Sequence, residues 1–399
     1  MISDRRRRAV ITALGISQIL SWGSSFYLLA VLAPFIQKDT GWGYDWTIGG
    51  VSVGLLIAGI VSPRVGKLIS QYGGRPVLAA GSILMAAGLL AMALSPNLTC
   101  YVLAWAVIGV GMGASLYDAA FSALSTIYAG ESRGPITYVT FFGGFASTVC
   151  WPLSALLVEY FGWRGTSAVY AAIHLFLCLP MLTLALPAGS SRHFTSAGRT
   201  NATGYLSRHE YTTFGLFACI VTIGAAILSI VATHLIPLLQ SRGIDLATAV
   251  ALGMIVGPAQ VGARVVEMFA GRHYHPIWTL AGAGVLVALA AWMLFVSSPW
   301  VAIAIVLYGA GNGIGSVARG TVPLALFGAE RYPVLMGWLA LPVMIAMAIA
   351  PLAGGVAFQK GGADWTLGLL TGLGVLNVAL VLALILESIT TKPYQNGGR

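Results

Sequence analysis

The chain has 399 residues, of which 58% are hydrophobic and only 8% are charged, and its formal net charge is +9. A soluble protein of this length needs far more charge to cover its surface, so the composition excludes a water-soluble globular protein. The basic balance does not indicate a nucleic-acid partner, because no basic patch in the sequence is interleaved with aromatic residues.

Apolar stretches of bilayer length recur along the whole chain and are separated by short polar segments. A run of about 18 or more apolar residues is long enough to cross the hydrocarbon core as a helix. The sequence therefore predicts an all-α integral membrane protein. The twelve predicted spans lie at about 9–36, 46–69, 76–95, 99–128, 134–160, 166–187, 211–240, 246–270, 276–297, 299–327, 332–359 and 364–387.

Lysine and arginine residues are distributed unevenly between the two sides of these spans. With the N-terminus in the cytoplasm, sixteen of the 21 basic residues fall on the cytoplasmic side, four fall outside and Arg319 lies within a span. Cytoplasmic loops of membrane proteins carry the excess of lysine and arginine. Both termini are therefore predicted to be cytoplasmic, and the net charge reflects orientation in the membrane.

The first predicted span carries a polar and aromatic stripe. Gln18 and Trp22 share one helical face, and Tyr27 lies nearby. One interpretation is a face that contacts a solute, with Trp22, Tyr27, Tyr117 and Trp338 available to stack on a planar ring. The other interpretation is ordinary helix packing by small and polar side chains.

Asp118 is a full charge in the middle of the predicted fourth span, where Ser115, Asp118 and Ser122 fall at i, i+3 and i+7 on one helical face. A charge at the bilayer centre costs roughly 2.5–3.5 kcal/mol on insertion scales, so it is kept where it faces water, pairs or binds cargo. A carboxyl group in such a setting is suited to taking up and releasing a proton. The sequence predicts a proton-coupling role for Asp118.

A polar segment in the middle of the chain separates two similar halves. Residues 188–210 are rich in serine, glycine and threonine, which predicts a cytoplasmic linker between six-helix bundles at 1–187 and 211–399. The halves repeat at an offset of about 200 residues, which indicates an internal duplication. The matching positions include Pro63-Arg64-Val65 with Ala263-Arg264-Val265, and Gly109, Gly111 and Gly113 with Gly309, Gly311 and Gly313.

The predicted seventh and eighth spans add three titratable or charged candidates. His234, near the outer end of the seventh span, is a second candidate for proton coupling, against the alternative of a simply hydrogen-bonded histidine. Arg264 and Glu267 lie one turn apart in the eighth span. They are assigned to a gate, and two alternatives stay open: that Arg264 binds the solute, or that it pairs with Glu267.

The predicted tenth span contains Arg319, the second charged residue within an apolar run. Asn312, Ser316 and Arg319 fall at i, i+4 and i+7, so they share one helical face. Arginine suits carboxylate recognition because it stays charged and presents a planar fork of donors. These three residues are predicted to bind the solute. The alternative is that Asp118 and Arg319 form a salt bridge that holds two helices together.

The loop after the second span runs from Gly66 to Arg75 and reads GKLISQYGGR. With the twelve spans, the repeat and the Phe161-Gly162-Trp163-Arg164 turn after the fifth span, it resembles the major facilitator superfamily over nearly the whole chain. The resemblance implies a gate formed by Arg64, Gly66, Gly73 and Arg75. The sequence departs from the family motif at Ser70 and Gln71, which replace an acidic and a basic residue.

The resemblance also implies function. Arg264 is similar to the basic residue that organic-anion transporters of this family carry in the same helix. In contrast, proton-driven drug exporters carry an arginine in the fourth span, four residues before a glycine pair. The matching residue here is Trp105, or Val107 if the pair starts at Gly111, and the lack of a basic residue disfavours drug efflux. The expected mechanism is alternating access, in which two bundles rock around a cavity lined by the first, fourth, seventh and tenth spans.

The leading hypothesis is a secondary, proton-coupled transporter of a small organic anion such as a monocarboxylate, located in a bacterial-type inner membrane. The alternatives are transport of a planar heteroaromatic vitamin such as riboflavin, efflux of drugs or toxicants, and, in another class, a non-transporting sensor or a membrane enzyme. No nucleotide-binding loop, metal motif or catalytic triad occurs in the sequence. We therefore expect no enzyme, no cofactor and no metal, and a monomer whose partners are lipid, solute and a coupling ion.

Overall fold

The computed structural model describes residues 4–188, 207–296 and 299–390, and it consists of helices joined by short turns in these three ranges. The predicted linker at 188–210 lies mostly outside them. Ser207 caps the helix that follows, with Glu210 completing a capping box. The α-helices are α1 (Asp4–Gly23), α2 (Leu29–Thr40), α3 (Tyr44–Tyr72), α4 (Gly74–Ala93), α5 (Leu98–Ser115), α6 (Tyr117–Tyr128), α7 (Arg133–Gly143), α8 (Ala146–Ile173), α9 (Leu179–Ala185), α10 (Arg208–Ser241), α11 (Leu246–Ala270), α12 (Pro276–Phe295) and α13 (Val301–Thr390). A π-helical turn (His174–Cys178) joins α8 to α9, and 3₁₀ turns occupy Ala129–Glu131 and Gly271–His273.

The helices account for the predicted spans. Within the described ranges, eight helical runs are long and apolar enough to cross a membrane. Two of them contain further spans, because Gly162 (φ 65°), Gly328 (φ 76°) and Gly362 (φ 65°) adopt backbone angles that break a helix and favour glycine. Each of these glycines falls in a gap between two predicted spans. The first predicted span is divided between α1 and α2, which completes the twelve and confirms the all-α membrane fold.

Residue contacts divide the chain into two compact units. The first unit comprises Met1–Thr203 and Pro323–Ala348, and the second comprises Gly204–Val322 and Ile349–Arg399. The first unit therefore includes part of the predicted eleventh span. There, the Gly66 backbone packs directly against the Pro333 carbonyl group. The division into bundles at 1–187 and 211–399 stays a prediction.

Glycines hold the helices of the first unit close together. A Cβ atom at Gly109 would lie 2.5 Å from the Gly54 carbonyl oxygen of α3, and one at Gly111 would lie 2.8 Å from the Met85 nitrogen of α4. Neither position has room for a larger residue, because real Cβ atoms essentially never approach other atoms so closely. The glycine cluster of α5 thus serves close helix packing.

The second unit repeats this packing with the matching glycines of α13. A Cβ atom at Gly309 would lie 2.8 Å from the Val256 carbonyl oxygen of α11, and one at Gly311 would lie 2.9 Å from the Ala283 carbonyl oxygen of α12. The internal repeat predicted from the sequence is therefore present in the packing of each unit. It places α11, α12 and the start of α13 in the roles that α3, α4 and α5 have in the first unit.

Several helices of the first unit are interrupted where the sequence predicts continuous spans. Residues 24–28 separate α1 from α2, and the Tyr27 backbone N–H donates to the Trp22 carbonyl oxygen five residues earlier, at 3.1 Å. Leu116 separates α5 from α6, and Gly144 and Phe145 separate α7 from α8. These interruptions lie near the middle of the predicted first, fourth and fifth spans, so the corresponding spans are each two helices rather than one.

Candidate functional site

Asp118 follows the interruption of the predicted fourth span. Leu116 is extended (φ −77°, ψ −174°), and α6 begins at Tyr117 with Asp118 in its first turn. Gln18 of α1 is fully buried and donates from Nε2 to the Ser115 carbonyl oxygen at 2.7 Å, which satisfies the carbonyl group beside the break. Because the N-terminus of a helix carries partial positive charge, the start of α6 favours a carboxylate at this position.

The interruption changes one predicted helical face. A single face with Ser115, Asp118 and Ser122 requires a continuous helix, and the break places Ser115 on the preceding helix instead. Ser122 keeps its relation to Asp118, since its hydroxyl donates to the Asp118 carbonyl oxygen at 2.6 Å. Asp118 itself is buried, with 6% of its surface exposed.

Aromatic rings from α1 through α8 form a cluster around this break, which we call the aromatic cluster. Trp22 contacts Tyr27 and Tyr117 with ring centroids 6.5 and 5.3 Å apart, so the structure brings three of the predicted stacking residues together. The cluster also includes Phe26, Phe121 and Trp151, which were not among the residues predicted from the sequence. Trp338 has no ring contact with it in the described ranges.

A buried serine–histidine pair lies beside the interruption of α1. Ser24 Oγ is 2.8 Å from His174 Nε2, and both side chains are fully buried. His174 opens the π-helical turn, and its Nδ1 has no hydrogen-bond partner within the described residues. This pairing could not be predicted from the sequence, because Ser24 and His174 are 150 residues apart in the chain.

In the second unit, the structure brings Arg264 to the predicted solute-binding face of α13. Arg264 Nε lies 3.2 Å from Ser316 Oγ and 3.2 Å from the Gly313 carbonyl oxygen, and only 5% of the residue is exposed. Ser316 also donates to the Gly313 carbonyl oxygen at 2.6 Å. The arginine is thus held by α13 through its Nε atom.

The guanidinium group of Arg264 carries a buried positive charge. No acidic group forms an ion pair with it within the described ranges, and Nη1 is buried without a hydrogen-bond partner. Burying a guanidinium group without a counter-ion is costly, because the charge loses its hydration. An anion bound at Nη1 would supply both the missing charge and the missing acceptor.

Glu267, one turn from Arg264, is committed to other partners. It accepts hydrogen bonds from Tyr274 Oη at 2.6 Å and from Thr279 Oγ1 at 2.7 Å. These bonds tie the end of α11 to the turn that follows it and to α12. They explain why Glu267 does not pair with Arg264, although the two residues are three positions apart on one helix.

Arg319 and Asn312 are half-buried and lie on the same helix as Ser316. Arg319 is one turn beyond Ser316 in an uninterrupted stretch of α13, so Asn312, Ser316 and Arg319 share the predicted face. Arg264 joins this face from α11. The second unit therefore has Asn312, Ser316 and Arg319 on one face of α13, and Arg264 of α11 contacts this face at Ser316.

The predicted gate residues of the first unit occupy a helix turn. Gly73 adopts φ 84° between α3 and α4, a conformation that favours glycine. Arg64 is exposed and Arg75 is half-buried, and neither forms a hydrogen bond or an ion pair in the part of the chain that the structure describes. The gating role of these residues stays a prediction.

His234 lies against glycines of the predicted eleventh span. Its Nδ1 is 3.2 Å from the Ile230 carbonyl oxygen, and a Cβ atom at Gly355 would lie 3.5 Å from its Nε2. The residue is half-buried. For metals, no group of three or more histidine, cysteine or acidic side chains is placed to hold an ion among the described residues.

Comparisons with known proteins agree with this architecture. The Major Facilitator Superfamily sequence model matches residues 14–318. The chain is 28% identical over 336 residues to monocarboxylate transporter 3 of Rattus norvegicus, covering 80% of this chain and 68% of that protein. It is 25% identical over 368 residues to a Pseudomonas aeruginosa protein called transcription regulatory protein OpdE, covering 88% of this chain and 87% of that protein.

Two solved structures have the same fold at low sequence identity. The human organic anion transporter MFSD10 superposes with a TM-score of 0.77 at 15% identity, covering 94% of this chain and 99% of that chain. The transporter FucP in its outward conformation superposes with a TM-score of 0.73 at 14% identity, covering 96% of this chain and 98% of that chain.

Proposed function

Because the chain belongs to the Major Facilitator Superfamily, we propose that it is a secondary transporter of small organic acids, with a monocarboxylate as the favoured substrate. The family and the fold are those of multi-pass membrane transporters, and the predicted major-facilitator fold is confirmed. The proposal includes finer assignments: alternating access as expected for the family, coupling to protons, and a bacterial inner membrane with both termini in the cytoplasm. The position of the termini follows from the distribution of lysine and arginine along the chain.

The observation that carries the proposal is the buried, uncompensated guanidinium group of Arg264. Its Nε atom is held by Ser316 and Gly313, and its Nη1 atom has neither a carboxylate nor a hydrogen-bond acceptor in the described ranges. A carboxylate substrate satisfies that donor directly. Arg319 on the same face of α13 provides a second guanidinium group for the same anion.

The relatives support this chemistry. Monocarboxylate transporters of rat and, at 25% identity over 289 residues, of human are among the proteins that resemble the chain in sequence. The sequence resemblance to organic-anion carriers at Arg264 points in the same direction. Arg264, assigned to a gate by its place in the repeat, is thereby proposed as a binding residue together with Asn312, Ser316 and Arg319.

We assign proton coupling to Asp118 at the start of α6. The carboxyl group is buried, and it follows a break in a membrane-spanning segment, the kind of place where transporters bind their coupling ions. Gln18 supports the break from α1. His234 is a second candidate for the same role.

The aromatic cluster favours a second candidate substrate, a planar heteroaromatic molecule. Trp22, Tyr27 and Tyr117 contact one another, and Tyr27 and Tyr117 are partly exposed. Planar rings stack on such side chains. An aromatic carboxylate such as benzoate combines this preference with the arginine site, whereas a neutral heteroaromatic solute depends on the cluster alone.

The test is uptake by purified protein in liposomes, with pyruvate, benzoate, cyclohexanecarboxylate and riboflavin as labelled solutes and benzamide as a neutral competitor. We expect uptake of the carboxylates, stimulated by an inward proton gradient, and no competition by benzamide. Arg319→Ala is expected to weaken carboxylate binding about tenfold or more, the loss typical of a charged hydrogen-bond partner. Uptake of riboflavin without uptake of any carboxylate would replace the proposal with its alternative, and an unchanged affinity in Arg319→Ala would remove that residue from the site.

A further inference from the structure

A cavity of about 590 Å³ opens in the first unit beside the beginning of α1. Its lining combines charged, polar and apolar side chains from α1 and α7. The lining residues are Asp4, Arg7, Arg8, Ile11, Thr12, Tyr138 and Phe142. None of these residues belongs to the site proposed for the carboxylate, so the cavity is a separate feature of the molecule.

The residues of α1 that line the cavity lie on one face of the helix. The lining positions 4, 7, 8, 11 and 12 follow the spacing of i, i+3, i+4, i+7 and i+8, which is one side of an α-helix. Arg5 and Arg6 belong to the same run of four arginines but do not line the cavity. The run is therefore divided by helix geometry into two arginines that face the cavity and two that do not.

The described residues that line the cavity have a net positive charge. It has two arginines against one aspartate, and no ion pair joins Asp4 to either arginine in the described ranges. The Arg7 guanidinium group lies over the Tyr128 ring, 5.7 Å from its centroid. Arg7 is thus held in place by a cation–π contact, while Arg8 is exposed to solvent.

The same face of α1 leads from the cavity to the aromatic cluster. Gly15, Gln18 and Trp22 continue it at the next turns. A Cβ atom at Gly15 would lie 2.5 Å from the Phe142 ring, so this ring is pressed against the helix backbone between the cavity and Gln18. Phe142 also stands two residues before the interruption that separates α7 from α8.

We propose that this cavity is an anion-admission vestibule at the cytoplasmic face, where Arg7 and Arg8 attract the organic anion. In this role Phe142 closes the vestibule off from Gln18 and the aromatic cluster. The assignment to solute admission rests on the proposed function. An anionic lipid headgroup has the same chemistry, and the experiment distinguishes the two sources.

The first test measures the local electrostatic potential with charged thiol reagents. Thr12→Cys is placed in a background in which Cys100, Cys150, Cys178 and Cys219 are replaced by alanine. We compare its reaction with the anionic sulfonatoethyl and the cationic trimethylammonioethyl methanethiosulfonates in phosphatidylcholine nanodiscs. The anionic reagent is expected to be favoured, and Arg7→Gln or Arg8→Gln is expected to reduce that preference about fivefold, as removal of a nearby, partly screened charge does.

The matched controls are Arg5→Gln and Arg6→Gln, which remove the same charge from the same run at positions that do not line the cavity. They are expected to change the preference at Thr12→Cys clearly less than Arg7→Gln or Arg8→Gln does, since their side chains do not line the cavity and solvent screens their charges. Ala9→Cys, an exposed position on another face of α1, controls for the general potential of the surface. If all four arginine substitutions reduce the preference for the anionic reagent equally, the proposal that the cavity is an anion vestibule is wrong.

The second test links the cavity to transport. With pyruvate supplied on the cytoplasmic side, Arg8→Gln is expected to raise the half-saturating concentration about threefold to tenfold without changing the maximal rate, because the charge acts on approach of the anion. Arg5→Gln is expected to leave both values unchanged. Phe142→Ala is expected to increase the reaction of the anionic reagent at Gln18→Cys about tenfold or more, since it removes the ring between cavity and helix interior.

Lipid occupancy and failure of the proposed function give different results. Protection of Thr12→Cys in nanodiscs that contain phosphatidylglycerol, but not in phosphatidylcholine, would assign the cavity to a lipid headgroup and overturn solute admission. The other case is an anion preference that depends on Arg7 and Arg8 in a protein that takes up no carboxylate. This result would support an anion site in the cavity and contradict the proposed function.

Discussion

The arginines at matching positions of the two halves, Arg64 and Arg264, have opposite surroundings. Arg64 is exposed and has no hydrogen bond or ion pair among the described residues, whereas Arg264 is buried and contacts Ser316 and Gly313. Gly109 and Gly111 of α5, and the matching Gly309 and Gly311 of α13, pack helices closely in the same way in both units. The duplicated halves thus share their backbone packing, while the chemistry of the side chains has diverged.

A second difference separates the helices that carry the two intramembrane charges. The predicted fourth span is interrupted at Leu116, and Asp118 lies at the start of a new helix. The matching region of α13 continues without interruption through Arg319. The first unit therefore has interrupted helices and a buried carboxyl group, and the second unit has a continuous helical face with guanidinium groups. We interpret this as a division between coupling and binding.

The largest expected effect comes from Asp118→Asn, which tests the coupling side of this division. Asparagine cannot take up a proton, so accumulation of pyruvate driven by a proton gradient is expected to fall about tenfold or more. Exchange of labelled for unlabelled pyruvate needs no net proton movement and is expected to continue. Glu267→Gln is the control, a buried carboxyl group whose hydrogen bonds are structural. Normal accumulation by Asp118→Asn would remove the residue from coupling.

The next prediction tests the shared packing of the two halves. Gly109→Ala and Gly313→Ala each place a methyl group 2.5 Å from a carbonyl oxygen, on Gly54 and Gln260 respectively. Overpacking of this kind costs about 1–3 kcal/mol, so the apparent Tm in detergent is expected to fall by several degrees for both variants. Gly257→Ala on α11 is the control, because its Cβ atom would meet open space. A loss of stability in only one half would contradict the shared packing.

A smaller effect is expected at the aromatic cluster. Trp22→Leu removes the ring that contacts both Tyr27 and Tyr117, and ring contacts contribute about 0.5–1.5 kcal/mol beyond the area that they bury. The preference for benzoate over cyclohexanecarboxylate is therefore expected to fall roughly twofold to tenfold in uptake competition. The exposed Trp46→Leu is the control. If the preference is absent from the wild type, the cluster is only a packing element.

The smallest predicted effect concerns Asp245, a cap outside the membrane-spanning segments. Hydrogen bonds from the Thr248 side chain and from the Thr248 backbone N–H, which lies 3.0 Å from Asp245 Oδ1, hold the pKa of the Asp245 carboxyl below its ordinary value of 3.8. A carboxyl group whose pKa is lowered by folding stabilises the fold above its unfolded pKa, and this contribution is lost as the pH falls through the folded value. Asp245→Ala is thus expected to lower the apparent Tm slightly at pH 7, and the difference should disappear in strong acid.

Asp45, at the matching position of the first half, is the control for this prediction. It lies in the first turn of α3, whose cap position is occupied by Gly43 instead. Asp45→Ala is expected to change the apparent Tm less than Asp245→Ala does at pH 7, because no capping hydrogen bond is lost. An equal loss in both variants would show that charge at the helix start, rather than the cap, is responsible.

Most of the fold could be predicted from the sequence, because runs of apolar residues identify membrane-spanning helices. The ends of spans at Gly328 and Gly362 were recognisable, because both glycines lie in gaps between apolar runs. The interruption at Leu116 was not recognisable, because the break itself contains no proline or glycine. The hydrogen bond beside it comes from Gln18, 97 residues before its acceptor Ser115. Local sequence patterns cannot reveal a break that depends on a distant side chain.

Part of the candidate site could be predicted from the sequence, namely the part that lies within a single helix. Helical spacing placed Asn312, Ser316 and Arg319 on one face, since all three lie in one helix. The contact of Arg264 with Ser316 depends on how α11 packs against α13, which spacing within one helix does not determine. The internal repeat favoured a gate role for Arg264 over binding, because the matching Arg64 was placed near the cytoplasmic end of its span.

The most direct test of the central claim, that Arg264 binds the carboxylate group of the solute, is a calorimetric titration of purified protein with the best carboxylate from the uptake screen. We predict that Arg264→Ala raises the Kd about tenfold or more, since it removes a charged donor from the anion, while Arg64→Ala changes it by less than about twofold. Thermal unfolding without ligand checks that both variants are folded. An unchanged Kd in folded Arg264→Ala, or an equal increase in both variants, would contradict the account.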